Sequence, residues 1–176
     1  MIRHFEDSDT GGFFLSADDG ETVLIRHKDS YDGAIPCGNS VAVHSLTVLG
    51  RLLERPDFEE AAKRCAAAHS GIMNGQPIAL THMVAGLETL QAAPTSVTIV
   101  GPREAPETLA LLDTASKAYH PGLIVRFLQT DTERPDTTDY ESELGKRNAV
   151  AGAWLCRDYH CEPPTDDPQR LMTMLT

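Results

Sequence analysis

Apolar positions along this chain follow two different rules in its two halves. Near the start, Gly12-Phe13-Phe14-Leu15 and Thr22-Val23-Leu24-Ile25 are short β-favouring runs either side of Asp18-Asp19-Gly20. Glycine supplies positive φ there at little cost, so the pattern predicts an N-terminal β-hairpin. After a Gly/Pro-rich loop, Ala42, Leu46, Leu49 and Leu53 recur at helical spacing, with Asn39 or Ser40 placed to cap and Pro56 to stop. A second helix, capped by Asp57, presents Phe58, Ala61, Ala62, Cys65, Ala66, Ile72 and Met73 on one stripe. Pro77 opens a third, with Ala79, Met83, Leu87 and Leu90 inward.

Beyond Pro94 the pattern changes. Residues 96–100 form a compact apolar strand, 106–119 a helix and 123–128 a second strand. That spacing is a βαβ crossover, which favours parallel pairing. The polar stretch 129–146 reads as an exposed loop or short helix, 149–156 as a third strand, and Asp167-Pro168 as the start of a closing helix with Leu171, Met174 and Leu175 inward. The expected fold is mixed α/β. Residues 1–94 form a hairpin plus three helices, and residues 95–176 form a small α/β unit.

Charge narrows the partners. With 26 acidic against 15 basic residues and a formal net charge of -11, the summed field repels nucleic-acid backbones and anionic lipid headgroups. The apolar runs fall far short of the roughly 20 residues of a membrane span. The start, Met1-Ile2-Arg3-His4-Phe5-Glu6-Asp7, turns acidic at once and does not read as a secretory leader, so the expected location is the cytoplasm. Four cysteines (Cys37, Cys65, Cys156, Cys161) are too few for a disulfide scaffold.

Three places carry candidate chemistry. The loop Tyr31-Asp32-Gly33-Ala34-Ile35-Pro36-Cys37-Gly38-Asn39-Ser40 gathers hydrogen-bonding side chains near a helix N-terminus. It suits a polyhydroxylated ligand held by Tyr31, Asp32 and Asn39, or a turn and cap in which Asp32 and Asn39 satisfy backbone groups. Cys156-Arg157-Asp158-Tyr159-His160-Cys161 has three readings: small apolar packing residues, a reversible disulfide, or soft-metal ligation completed by His120 or His160. Zinc normally draws on a second paired motif, which this sequence lacks, so no metal and no cofactor is expected. Gly101-Pro102-Arg103 stands where nucleotide folds bind phosphate, but Pro102 removes an amide and Glu104 and Glu107 repel an anion.

The chain also carries Gly11-Gly12-Phe13-Phe14, Asp18-Asp19-Gly20-Glu21, Tyr31-Asp32-Gly33-Ala34 with Pro36, and Gly38-Asn39-Ser40-Val41-Ala42. Towards the end come the strand 97–101, the 155–161 segment, Pro163, Asp167-Pro168 and Leu171. Together these resemble the C-terminal portion of the thioredoxin-domain-containing proteins related to spermatogenesis-associated protein 20. The resemblance implies a longer parent: a thioredoxin-like domain, then an (α/α) toroid similar to N-acylglucosamine 2-epimerases and six-hairpin glycosidases. It therefore implies that the three helices are part of a toroid and that the chain is a C-terminal fragment or truncated relative. Cys37 stands where the family loop is expected to hold a serine, and no Cys-x-x-Cys pair is present.

Toroid enzymes of the sugar-processing kind use paired acid and base side chains. Asp32 is the candidate here, with His27 or His44 as company, and the chain alone is not expected to be catalytically complete. The leading expectation is thus a module forming one wall of a carbohydrate-type cleft. The alternatives are a thiol redox role through Cys156 and Cys161, and an interaction module that self-associates through its exposed helical face.

Overall fold

The structure, a computed structural model, describes residues 1–21, 24–118, 120, 122–130, 151–158 and 160–176. It comprises two compact units, Met1–Ala92 and Ala93–Thr176, together a mixed α/β fold.

The first unit is helical from its N-terminus. Ile2–Phe5 forms a one-turn helix, α1, followed by α2 (Gly38–Leu52), α3 (Pro56–Ala68), α4 (Ser70–Gly75), a 3-10 turn (Pro77–Leu80) and α5 (Thr81–Gln91). Among the described residues the expected N-terminal β-hairpin is absent. Gly11 and Gly12, both at positive φ, turn the chain so that Phe13 enters the helical core rather than a strand ladder. A side chain then takes the place of a strand partner: Asn39 Oδ1 accepts from Phe13 N at 2.7 Å and Asn39 Nδ2 donates to Phe13 O at 3.0 Å. What remains of pairing is an isolated bridge between Glu6 and Phe13 and a single bond from Leu15 N to His27 O. Leu24 and Ile25, meant for the second strand, stand 106% and 82% exposed. Thr22 and Val23 lie outside the described residues.

Helix boundaries also differ from the pattern. The second predicted helix is broken at His69 into α3 and α4; the His69 ring is turned back onto Cys65 O at 2.8 Å. Arg55 rather than Asp57 occupies the N-cap of α3, because Pro56 is suited to the first helical position and leaves Asp57 in the first turn. The opening of the third predicted helix tightens into the 3-10 turn before α5 begins.

α2 is the central element, packed on both α3 and α5. At Gly86 a Cβ would lie 3.2 Å from the backbone of His44, a tight contact that would ask α5 and α2 to move apart by a few tenths of an ångström. The core joins Phe13, Val43, Leu46, Ala62, Cys65, Leu80 and Met83. No closed toroid or barrel is formed among the described residues; the expected partial toroid is instead a layer of short helices against which Ile2, Phe5, Phe13 and Cys37 pack.

Among the described residues the second unit holds a four-stranded sheet in the order β2-β1-β3-β4: β1 (Thr95–Gly101), β2 (Leu123–Gln129), β3 (Gly152–Arg157) and β4 (His160–Cys161). β1 and β2 pair parallel, joined by the crossover helix α6 (Pro106–Lys117), while β3 runs antiparallel to both β1 and β4. Strand alternation places Val97, Ile99, Ala153 and Leu155 on one face, where they pack with Leu111 of α6 and with Leu171 and Leu175 of the closing helix α7 (Pro168–Leu175). Asp167 caps α7 by accepting from Gln169 N at 2.9 Å. Val100, Leu128 and Trp154 cluster on the other face. The expectation for residues 131–146 lies outside the described residues. Among those described, no helix is long and apolar enough to cross a membrane.

Candidate functional site

The β3–β4 hairpin brings Cys156 and Cys161 together. Arg157 pairs with His160 and Cys156 with Cys161, while Glu162 N donates to Leu155 O at 2.9 Å. Antiparallel ladders alternate hydrogen-bonded and non-hydrogen-bonded pairs, and the flanking bond at Leu155/Glu162 makes Cys156/Cys161 the non-hydrogen-bonded kind, whose side chains approach most closely. The two Cα atoms are 4.0 Å apart and the sulfurs are joined in a disulfide. Asp158, at φ 47, takes the left-handed conformation the turn requires, and its N–H donates to Pro94 O. By alternation Cys156 lies on the Trp154 face of the sheet, away from α6 and α7, and directly opposite Ser96 of β1.

The surroundings of this disulfide are polar. Arg157 donates to Glu162 at 2.7 Å and to the carbonyl of Met174 in α7, and His160 Nδ1 lies 2.9 Å from Asp158 O. Cys161 is exposed and Cys156 half-buried. With their sulfurs bonded to each other, these cysteines offer no thiolate to a metal. Among the described residues the one His/Cys/Asp/Glu group close enough to hold an ion is His4, Asp18 and Asp19, on the surface, which the sequence pattern did not single out. There His4 Nδ1 is 2.9 Å from Asp18 Oδ1, and that contact outweighs slight burial in drawing the Asp18 carboxyl below its usual range.

In the 31–40 loop the three expected ligand residues have different fates. Asn39 is 1% exposed, and its amide is fully engaged: Nδ2 donates to Phe13 O and Asp29 O, while Oδ1 accepts from Phe13 N and from the Cys65 thiol. Asp32 joins two helix starts. Its Oδ1 accepts from Cys37 N, the N-cap of α2, at 2.8 Å, and its Oδ2 accepts from His82 N in the first turn of α5 at 2.9 Å. Burial pushes the Asp32 carboxyl up, but hydrogen bonds from Cys37 N–H, the Ser40 hydroxyl and His82 N–H outweigh it, and the net shift is downward. Tyr31 is 64% exposed beside it. The His44 and His82 rings lie 5.9 Å apart between centroids, tilted at 54° to each other, whereas the His27 carbonyl accepts from Leu15 N.

The other two thiols are internal. Cys37 shares a 3.2 Å hydrogen bond with Ser40 Oγ, and burial, followed by the nearby Cys37, pushes the Cys65 thiol up to about 12. Neither has the electropositive, accessible setting of a reactive cysteine.

The molecule is thus a two-unit α/β protein with a helical layer and a sheet whose outer hairpin carries a cross-strand disulfide. No family model matches it. By sequence it is related to spermatogenesis-associated protein 20 and its homologues: it is 31% identical to the Homo sapiens protein and 30% to that of Rattus norvegicus, in each case over 97% of this chain. It is also 28% identical, over 91% of its length, to an uncharacterised protein of Caenorhabditis elegans. The chain spans 22% of the length of each of these relatives.

Proposed function

We propose that the chain is a thiol–disulfide exchange module acting through Cys156 and Cys161. The observation that carries this reading is their placement as a bonded, non-hydrogen-bonded cross-strand pair at the accessible end of a sheet. Exchange requires a thiolate to reach a disulfide sulfur, and access is one determinant of its rate. The bond also joins neighbours that the ladder already holds, so opening it leaves the sheet in place. Thiol counting tests this. In glutathione buffers of stepped redox ratio, followed by alkylation and mass spectrometry of the native protein, two alkyl groups should be gained reversibly. A bond that stays closed at every ratio, as structural disulfides with potentials below about −300 mV do, overturns the reading.

A second reading, a wall of a carbohydrate-type cleft within a longer protein, is favoured by one observation: exposed Tyr31 stands next to a carboxylate held ionised. An aromatic face beside a hydrogen-bond acceptor suits a sugar ring. Any epimerase- or glycosidase-like activity on this reading belongs to the longer protein. Calorimetric titration of the full-length protein with free sugars, against Tyr31→Ala, should show weakened binding; unchanged binding removes this reading.

A further inference from the structure

The two sulfurs of the disulfide are not equivalent. A thiolate attacks a disulfide in line, approaching one sulfur from the side opposite the other, so the direction of the S–S bond across the hairpin fixes two approach paths. Attack on Cys156 comes from the β1 side, where Ser96 occupies the paired register position. Attack on Cys161 comes from beyond β4, the last strand of the sheet among the described residues, and Cys161 is itself exposed whereas Cys156 is half-buried.

From this geometry we propose that Cys161 is the exchanging sulfur and Cys156 the resolving sulfur, the substrate being a thiol or dithiol presented to the open side of β4. The assignment rests on the redox reading above. In the first step the substrate thiolate bonds to Cys161 Sγ, the Cys156–Cys161 bond breaks, and the electron pair leaves on Cys156 Sγ, which takes a proton from water. A second substrate thiolate then attacks the sulfur of the mixed disulfide that came from the substrate. Cys161 departs as a thiolate, the substrate becomes a disulfide, and the protein is left as the two-electron-reduced dithiol. In the opposite direction the Cys161 thiolate attacks a substrate disulfide, and Cys156 resolves the mixed disulfide.

The flanking charge guides the choice of probe. Between residues 157 and 170 the chain carries Asp158, Glu162, Asp166 and Asp167 against Arg157 and Arg170, so a small cationic thiol is drawn to the site. Cysteamine serves. The oxidised full chain is exposed briefly to limiting cysteamine, quenched with acid, alkylated at the freed thiol and mapped by peptide mass spectrometry. The cysteamine adduct should fall on Cys161, with the alkyl group on Cys156, in at least ten-fold excess over the reverse. Equal labelling, or an excess on Cys156, overturns the assignment while leaving the redox reading intact. If no adduct forms on either cysteine while a folded-state Trp154 signal persists, the redox reading fails and takes the assignment with it. Single variants add a rate: Cys156→Ser should react with an activated aromatic disulfide at least ten-fold faster than Cys161→Ser, and equal rates count against the proposal.

Discussion

Replacing Asp32 with alanine removes one carboxylate but uncaps two helices. Its two oxygens accept from Cys37 N at 2.8 Å and from His82 N at 2.9 Å, and the two amides belong to the starts of α2 and α5. Loss of an N-cap acceptor costs about 1 kcal/mol, within a range of about 0.5–2. Asp32 is only half-buried, so water will partly re-solvate the freed amides, and the two losses together should come to about 2 kcal/mol. With a urea slope of about 1–2 kcal/mol/M for a unit of this size, the midpoint should fall by about 1–2 M. Asp32→Asn retains one acceptor oxygen and should lose about half as much.

The assay can separate the units, because the chain's single tryptophan, Trp154, lies in the sheet, while most helical residues lie in Met1–Ala92. Far-ultraviolet dichroism should show the transition of the helical unit shifting to lower urea in Asp32→Ala. The effect also has a pH signature. The carboxyl is depressed in the folded state, so its contribution is complete above the unfolded-state value, near 3.8, and is lost as pH falls through the lower folded-state value. The gap between wild type and Asp32→Ala should therefore narrow on acidification below pH 4, towards the half that a neutral acceptor such as Asp32→Asn retains. A dichroism midpoint shift corresponding to less than about 0.5 kcal/mol, or a gap that widens in acid, would refute the double-cap argument.

Asn39→Ala should cost more, about 3–4 kcal/mol in the same dichroism transition, since it leaves Phe13 N and Phe13 O without their partner in a buried setting and Asp29 O in a part-buried one. Cys65, raised to about 12 by burial, should resist iodoacetamide at pH 8 in the native protein and react once urea unfolds the first unit, as read by intact mass. The double variant Cys156→Ala/Cys161→Ala should lower the stability of the second unit by about 2 kcal/mol, the entropy of so short a closed loop, seen in the Trp154 transition.

Periodicity revealed much of the chain and failed where side chains replaced backbone partners. The β1–α6–β2 run is legible because a short apolar run, a helix opened by proline and a second apolar run leave few ways to connect, and the sheet pairs these strands in parallel. The hairpin expected at residues 12–25 is the opposite case. Phe13 and Phe14 have β propensity, yet tertiary contacts decide: the Asn39 amide supplies the hydrogen bonds a strand would have supplied, from a position 26 residues away. No local window contains that interaction. Asp32 was legible as a polar residue in a Gly/Pro-rich loop, but its second oxygen is directed at His82, 50 residues on, so its role as a joint between two helices is not written locally. His69 likewise breaks a continuous apolar stripe that pattern alone would run on through.

The two candidate places differ in how much of their chemistry the fold already uses. At the 31–40 loop, both oxygens of Asp32 and every polar atom of Asn39 hold helices and the N-terminal segment in position, which leaves Tyr31 as the side chain free to meet a ligand. The Cys156–Cys161 bond stands in the opposite relation to its surroundings. It spans a sequence separation of 5, so the entropy it removes from the unfolded chain is at the low end for disulfides, and the flanking Arg157/His160 pairing and the Glu162–Leu155 bond hold the hairpin independently of it. A bond whose stabilisation is at the low end for disulfides, about 2 kcal/mol, and which joins strands that the ladder also holds, can be made and broken without unfolding its neighbours. That decoupling is what an exchange site needs, and it is why the redox reading is placed in the second unit rather than in the loop that the sequence made most conspicuous.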